Sequence, residues 1–323
     1  MEILSGLESL PDPRLRTPIV TWGVFDGVHR GHRRVIGQSL SWARAEGVSS
    51  AIVTFDRHPE EVLRGRKVPL VAPLGERLRL IGDLGVDFCV VLNFTLEFSK
   101  TSAEEFIRGI VAGRMAAKGI VLGHDSRFGR DRAGDLDFLT RLGRDVGLDV
   151  RHSEPELFQG RPVSSSLVRE AIFEGNLGDA TFLLGRAPSV IGTVVRGDRR
   201  GTTLGFPTAN LELHHAVRPP AGVYSAEVPL EGRHYRALVN IGTRPTFGQD
   251  GAEALEVHLL DYEGGDLYGR SVEVRFLGRI RDEQKFDGPE SLKRQILADI
   301  SQVRKQEAGT GKQETGKPGS TRP

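Results

Sequence analysis

The sequence predicts two unlike folds in tandem: an α/β half built on a parallel sheet, then an all-β half forming an antiparallel barrel closed by a C-terminal helix. Three observations predict it. Through about residue 184, short apolar runs alternate with helical patterns, as expected of strand–helix–strand units. Beyond that point helical periodicity is nearly absent, and strand-like runs recur at fairly even spacing between turn residues. The length of 323 residues suffices for two domains of ordinary size.

In the first half, residues 19–22, 51–55, 88–92 and 119–122 are β-branched or aliphatic runs bounded by polar residues or glycine, which reads as buried strands. Residues 148–152 form a candidate fifth strand, and helices fit 32–45, 74–84, 101–111 and 135–146. The third helix opens on a capping box, because Thr101 is followed three positions later by Glu104. A sheet of this kind binds ligands beyond the carboxyl ends of its strands, where the strand order reverses. In the second half, 192–196, 223–228, 235–240, 255–260 and 271–277 read as strands, and 289–303 as the closing helix. The boundary is expected near 185–188, giving domains 1–185 and 186–306. Residues 307–323 are rich in Gly, Lys, Thr and Pro, and are expected to form a disordered tail.

Composition narrows the function classes. With 38% apolar and 27% charged residues, the chain can bury real cores. Lys plus Arg total 44 against 43 acidic residues, so the net charge of +1 gives no field to attract nucleic acid. The one cysteine, Cys89, can form neither an internal disulfide nor a cysteine metal cage, and reads as a buried strand residue. The N-terminal residues lack a secretion signal, and no run reaches the ~18 apolar residues needed to cross a bilayer. A cytoplasmic protein without nucleic-acid or membrane partners is expected.

The first candidate site lies at residues 23–32, GVFDGVHRGH, where strand one meets a helix. Gly23, Gly27 and Gly31 let the backbone turn tightly and approach a ligand closely. His29 and His32 share one face of the helix opening, beside amides that favour an anion. Imidazoles there can donate to phosphoryl oxygens whose charge shifts during reaction. An isolated His-x-Gly-His suits two surface residues equally well; its place at a strand-to-helix turn favours a ligand.

This motif resembles the signature of the nucleotidylyltransferase superfamily, and the longer form resembles the N-terminal module of bifunctional riboflavin kinase/FAD synthetases. Three more segments match that module in order: TFDRHP at 54–59, GHDSRFGR at 123–130 and VSSSLVR at 163–169. The resemblance implies a Rossmann-like FMN adenylyltransferase. In it Gly23, Phe25, Asp26, His29, His32, Ser165, Ser166 and Arg169 would bind ATP, with His29 and His32 catalytic, while His58, Asp125 and Phe128 would bind FMN. Two residues depart from the family pattern. Arg57 replaces a proline before His58, and Ser126 stands where an aromatic is usual; Phe98 and Phe128 are nearby candidates to replace that ring.

The second candidate site begins at residues 192–210, GTVVRGDRRGTTLGFPTAN. Its glycine-rich run can cradle phosphate but is not a Walker loop, since no Gly-Lys-Ser/Thr follows. Thr208 and Asn210 are neutral oxygen donors suited to Mg²⁺. In the strand at 255–260, Leu255, Val257 and Leu259 share one face, and Glu256 and His258 the other. A barrel would bury the first set and present Glu256 to a pocket, although a solvated strand charge fits the same pattern. The segment closely resembles the riboflavin kinase signature, with Thr202 where Arg is more usual. The match continues through residues 222–224, 240–247, 256–261, 267–269 and 281–286, so the two resemblances together span about 18–303. This implies that Gly197, Gly201, Gly205 and Thr208 bind ATP, that Phe206, Arg281 and Phe286 hold flavin, and that Thr208 and Asn210 hold Mg²⁺. Glu256 would be the general base. Riboflavin, FMN and ATP are the implied partners. Two other readings stay open: a kinase with a weakened adenylyltransferase, and a flavin-sensing protein without turnover.

Overall fold

The computed structural model describes residues 1–197, 204–213, 217–243 and 253–310. The chain divides into two compact units. The first contains a six-stranded, fully parallel sheet of order β1-β4-β3-β2-β5-β6. Its strands are β1 (Glu2–Ser5), β2 (Ile19–Trp22), β3 (Ser50–Phe55), β4 (Phe88–Leu92), β5 (Gly119–Gly123) and β6 (Asp149–Ser153). The four expected apolar runs and the candidate fifth are all present. The edge strand β1 escaped sequence reading because only Leu4 of its four residues is buried, leaving no apolar run to see.

Alternation along the strands buries both faces. Val20, Trp22, Val53 and Val90 pack with Phe106, Ile107 and Leu139 on one side. Ile52, Cys89 and Val91 pack with Ile36, Leu40 and Leu80 on the other. The covering helices are α1 (Arg30–Glu46), α2 (Pro59–Arg64), α3 (Leu74–Gly82), α4 (Ala103–Glu105, continuing as a π-helix over Phe106–Arg114) and α5 (Leu136–Val146). The capping box on α4 is built one residue later than expected: the Ser102 hydroxyl accepts from the Glu105 amide, and the Glu105 carboxylate accepts from the Ser102 amide. Thr101 is unavailable because it ends the preceding 3₁₀ turn and its carbonyl accepts from Arg130 N–H at 2.8 Å. A short hairpin, β7 (Leu157–Phe158) and β8 (Arg161–Pro162), precedes α6 (Ser165–Phe173) and α7 (Leu177–Leu184).

The second unit is a closed barrel of order β10-β13-β12-β11-β14-β9, antiparallel throughout. It comprises β9 (Ser189–Val195), β10 (Ala209–Leu213), β11 (Gly222–Leu230), β12 (Arg233–Thr243), β13 (Glu253–Leu259) and β14 (Ser271–Arg281). Tyr224, Ala226, Val239, Val257, Val274 and Phe276 fill its interior and are almost wholly buried. Strand β10 was hidden in sequence at the end of the glycine-rich segment 192–210. The last helix, α8 (Pro289–Thr310), sets Ile296, Ile300 and Val303 against Val223, Leu238 and Leu260. It runs beyond residue 307, where the tail was expected to begin; the tail residues 311–323 lie outside the described residues.

Candidate active sites

In the parallel sheet, chain order runs outward from β2 to one side through β3 and β4, and to the other through β5 and β6. The carboxyl ends of β2 and β5 therefore flank the topological switch point. A cavity of about 220 Å³ opens there, lined by Trp22 and Gly23 at the carboxyl end of β2, by 123–126 at that of β5, and by Ser153 and Glu154 at that of β6. The start of α1 and Ser164–Ser165 at the opening of α6 also line it.

His29 is the N-cap of α1, and its Nδ1 accepts the His32 amide at 3.3 Å. The two rings stack with centroids 3.5 Å apart. Both line the cavity, and His29 is only 3% exposed. Burial pushes the His32 imidazole well below the usual histidine range, and the neighbouring His29 and Arg77 push the same way. A neutral His29 ring that accepts at Nδ1 carries its proton on Nε2, so the ring offers a hydrogen-bond donor. Gly31 permits the stack, since a Cβ there would press on the Val163 carbonyl and the His29 ring.

The loop before His29 is held from behind. Asp26, 2% exposed, accepts from the amides of Val71 and Ala72 and from Arg169 Nη2 at 2.8 Å. Arg169 Nε donates to the Pro69 carbonyl at 2.9 Å, and the Ser165 hydroxyl donates to the Asp26 carbonyl at 3.0 Å. Gly27 has φ +80°, and a Cβ there would lie 2.6 Å from Val71. Arg77, 2% exposed, donates to the Val24 carbonyl at 2.8 Å and to the Phe55 carbonyl at 2.5 Å.

In the barrel, cross-strand pairing places Asn210 of β10 opposite Glu256 of β13, and Glu256 opposite Asn240 of β12. Residues directly opposite project to the same face. The row continues to Val223, which packs under α8, so it occupies the outer face of the barrel while Leu255 and Val257 turn inward. Glu256 is half-buried and has no hydrogen-bond or ion-pair partner among the described residues. His258 accounts for the neighbouring loop: its Nδ1 lies 2.8 Å from the Pro207 carbonyl and its ring is edge-on to Phe206 at 5.7 Å. A carbonyl only accepts, so His258 Nδ1 carries the proton and tethers the segment ending in Thr208. Gly197, two residues past β9, lies against this row, because a Cβ at that position would overlap the Asn210 amide.

The two sites match known families in the same order. The FAD synthetase family model matches residues 12–167 and the riboflavin kinase model residues 184–306. The bifunctional riboflavin kinase/FMN adenylyltransferase of Pseudomonas fluorescens is 37% identical over 304 residues, covering 94% of this chain and 97% of that protein. The chain belongs to the bifunctional riboflavin kinase/FMN adenylyltransferase family. A second member, from Escherichia coli K12, is 36% identical over 306 residues, covering 93% of this chain and 96% of its own. A solved structure from Streptococcus pneumoniae, described as a macrolide-efflux protein, superposes with a TM-score of 0.83 at 32% identity and covers 94% of this chain and 99% of that one. Among the described residues no helix is long and apolar enough to cross a membrane. The chain is thus a two-domain transferase, with an FAD synthetase domain that carries the histidine cavity and a riboflavin kinase domain that carries the Glu256 row.

Within this family frame the expected residues separate into groups. Gly23, Phe25, His29, His32, Asp125 and Ser165 all line the cavity. Asp26 and Arg169 lie behind it, paired with each other, and Ser166 is exposed outside it. Phe128 is off the cavity wall, 7% exposed, and packed in the core edge-on to Trp22 at 5.0 Å. Phe98 likewise packs on Phe55 and Phe94. Ser126 does line the cavity, with its hydroxyl over Gly123. His58 caps α2 by accepting the Glu60 amide at 3.2 Å, and burial lowers its pKa. The turn at Arg57 is well formed, because Asp56 accepts the amides of Arg57 and Phe94 at 2.8 Å each.

In the kinase domain, Gly197 lies against Asn210 and Asn210 stands opposite Glu256, Thr208 directly precedes β10, and Phe206 is buried against His258. Gly205 takes φ +90°; Gly201 and Thr202 lie outside the described residues. Arg281 is held by buried Asp299 at 2.9 Å and sits 5.6 Å from the Phe286 ring, so it seats α8 and positions Phe286. Sequence reading missed Trp22, His124, Ser153 and Glu154 on the cavity wall. Their signal was positional, since each ends or directly follows a strand at its carboxyl end.

Proposed function

We propose that the barrel phosphorylates riboflavin to FMN and that the α/β domain adenylylates FMN to FAD. The observation that carries the first step is the row Asn210–Glu256–Asn240, in which a carboxylate with no partner among the described residues stands across from two neutral amides. Glu256 takes the proton of the riboflavin 5′-hydroxyl as that oxygen attacks the γ-phosphorus of ATP, and ADP leaves. Thr208 and Asn210 would hold Mg²⁺, and their neutral oxygens beside a carboxylate suit a hard cation coordinated mainly by phosphate. When bound, Mg²⁺ screens the phosphate charge. His258 and Gly197 keep the two donors in place.

For the second step, an FMN phosphate oxygen attacks the α-phosphorus of ATP and pyrophosphate leaves. His29 donates to a phosphoryl oxygen, and the amides opening α1 accept charge beside it. A neutral His32 braces the stack rather than adding charge. A cytoplasmic setting fits a chain whose one cysteine is a buried thiol.

Product chromatography tests the reading. Protein supplied with riboflavin, ATP and Mg²⁺ should accumulate FMN and then FAD, and protein supplied with FMN should form FAD directly. Riboflavin turnover without any FAD from supplied FMN would rule out the second activity, and no product in either case would rule out both.

A further inference from the structure

Arg77 is a buried charge to which neither proposed reaction gives a role. It sits four residues into α3, where an arginine on an amphipathic helix would ordinarily face water. Here it is 2% exposed, and no carboxylate pairs with it among the described residues. An unpaired buried charge is costly to maintain unless something offsets it. The charged and titratable groups around it are Asp26 and His32 from the β2–α1 segment, Asp56 after β3, and Cys89 on β4. Asp26 is already paired with Arg169, and Asp56 accepts backbone amides. The guanidinium instead grips two carbonyls, Val24 in the glycine loop before His29 and Phe55 at the end of the strand that leads to His58.

Resting on the adenylyltransferase reading, we infer that Arg77 is a positioning residue for adenylyl transfer. It ties the glycine loop to the carboxyl end of β3 and places a fixed positive charge directly behind that loop, where the polyphosphate of ATP supplies the missing counter-charge. Donation to the Val24 carbonyl orients that peptide with its N–H turned away from Arg77. The clamp and the charge therefore act through one side chain, and neither requires contact with ATP.

The test uses the full-length protein and three variants, Arg77→Lys, Arg77→Gln and Arg77→Met, each assayed for FMN-to-FAD and, as internal reference, riboflavin-to-FMN conversion. Lys keeps the charge, Gln keeps hydrogen-bonding capacity without charge, and Met keeps only volume. The expected order in kcat/KM for ATP in FAD formation is wild type, then Lys within about fivefold, then Gln and Met about 100-fold down, with the kinase reaction unchanged, as befits a preorganised electrostatic contribution. A Gln variant equal to the Lys variant, or all three equal to wild type, would overturn the inference. Should the neutral variants fail to fold, Arg77→Lys alone decides. A buried lysine loses its proton within reach of ordinary pH whereas arginine does not. FAD formation by that variant should then fall more steeply than wild type above about pH 8, and parallel profiles would overturn the inference. Loss of FAD formation in wild type itself would instead sink the underlying reading.

Discussion

The two domains handle phosphate chemistry with opposite electrostatics. In the α/β domain the side chains that fix the glycine loop are buried and already paired: Asp26 by two amides and Arg169, and His29 by the His32 amide it accepts. In the barrel the key carboxylate is half-buried and has no partner among the described residues, and neutral amides stand opposite it on both neighbouring strands. The difference follows from the chemistry assigned to each. Adenylyl transfer needs donors held still around a charge that only redistributes, so preorganisation dominates. Phosphoryl transfer to a hydroxyl needs a group able to accept a proton, and a carboxylate locked in an ion pair accepts one poorly.

That comparison can be broken in several places. The largest expected effect is on Glu256→Gln, which should reduce FMN formation by ~10²–10⁴-fold while leaving FAD formation from supplied FMN intact. Equal loss of both activities in a folded protein would mean that the domains do not work independently. Next is Asp26→Asn, which leaves Arg169 without its buried partner. It should destabilise the α/β domain by about 3–5 kcal/mol, read as a lowered unfolding midpoint of that domain. Gly197→Ala should push the Asn210 amide aside and raise the kinase KM for Mg-ATP by about tenfold, with FAD formation unaffected.

The smallest effect is on pH dependence. The His32 pKa is lower folded than unfolded, so the unfolded chain binds the extra proton first. Stability from this group is full above the ordinary histidine range and is lost as pH falls below about 6.5. His32→Gln should flatten that slope in urea titrations between pH 5 and 7, roughly in the window where unfolded histidine protonates.

Much of this was legible in sequence, and the reasons are local. The glycine-rich strand-to-helix turn marked His29 and His32 because tight turns and free amides depend on residues adjacent in the chain. Alternation in β13 likewise separated Glu256 from Leu255 and Val257. What stayed hidden depends on long-range register. Nothing near Asn240 says that it lies across from Glu256, since β12 and β13 are paired by the barrel as a whole. Nothing in the helical pattern around Arg77 marks it as buried, because its burial is set by the segments at the ends of β2 and β3. The motif around Phe128 does not say that its ring packs against Trp22 and Phe106, residues far away in the chain. The capping box slipped by one because two overlapping patterns, starting at Thr101 and Ser102, both satisfy the rule; only the backbone bond from Arg130 separates them.

The single cysteine has a practical consequence. Cys89 lies within β4 of the parallel sheet with no exposed surface, and burial pushes its thiol up to about 12. Alkylating reagents attack the thiolate, so in the native protein they should find almost nothing to modify. The rate at which Cys89 is labelled thus becomes a clock for the opening of the parallel sheet, readable in unaltered protein by mass. A cysteine introduced anywhere on the surface would carry a probe alone, with no background to remove first.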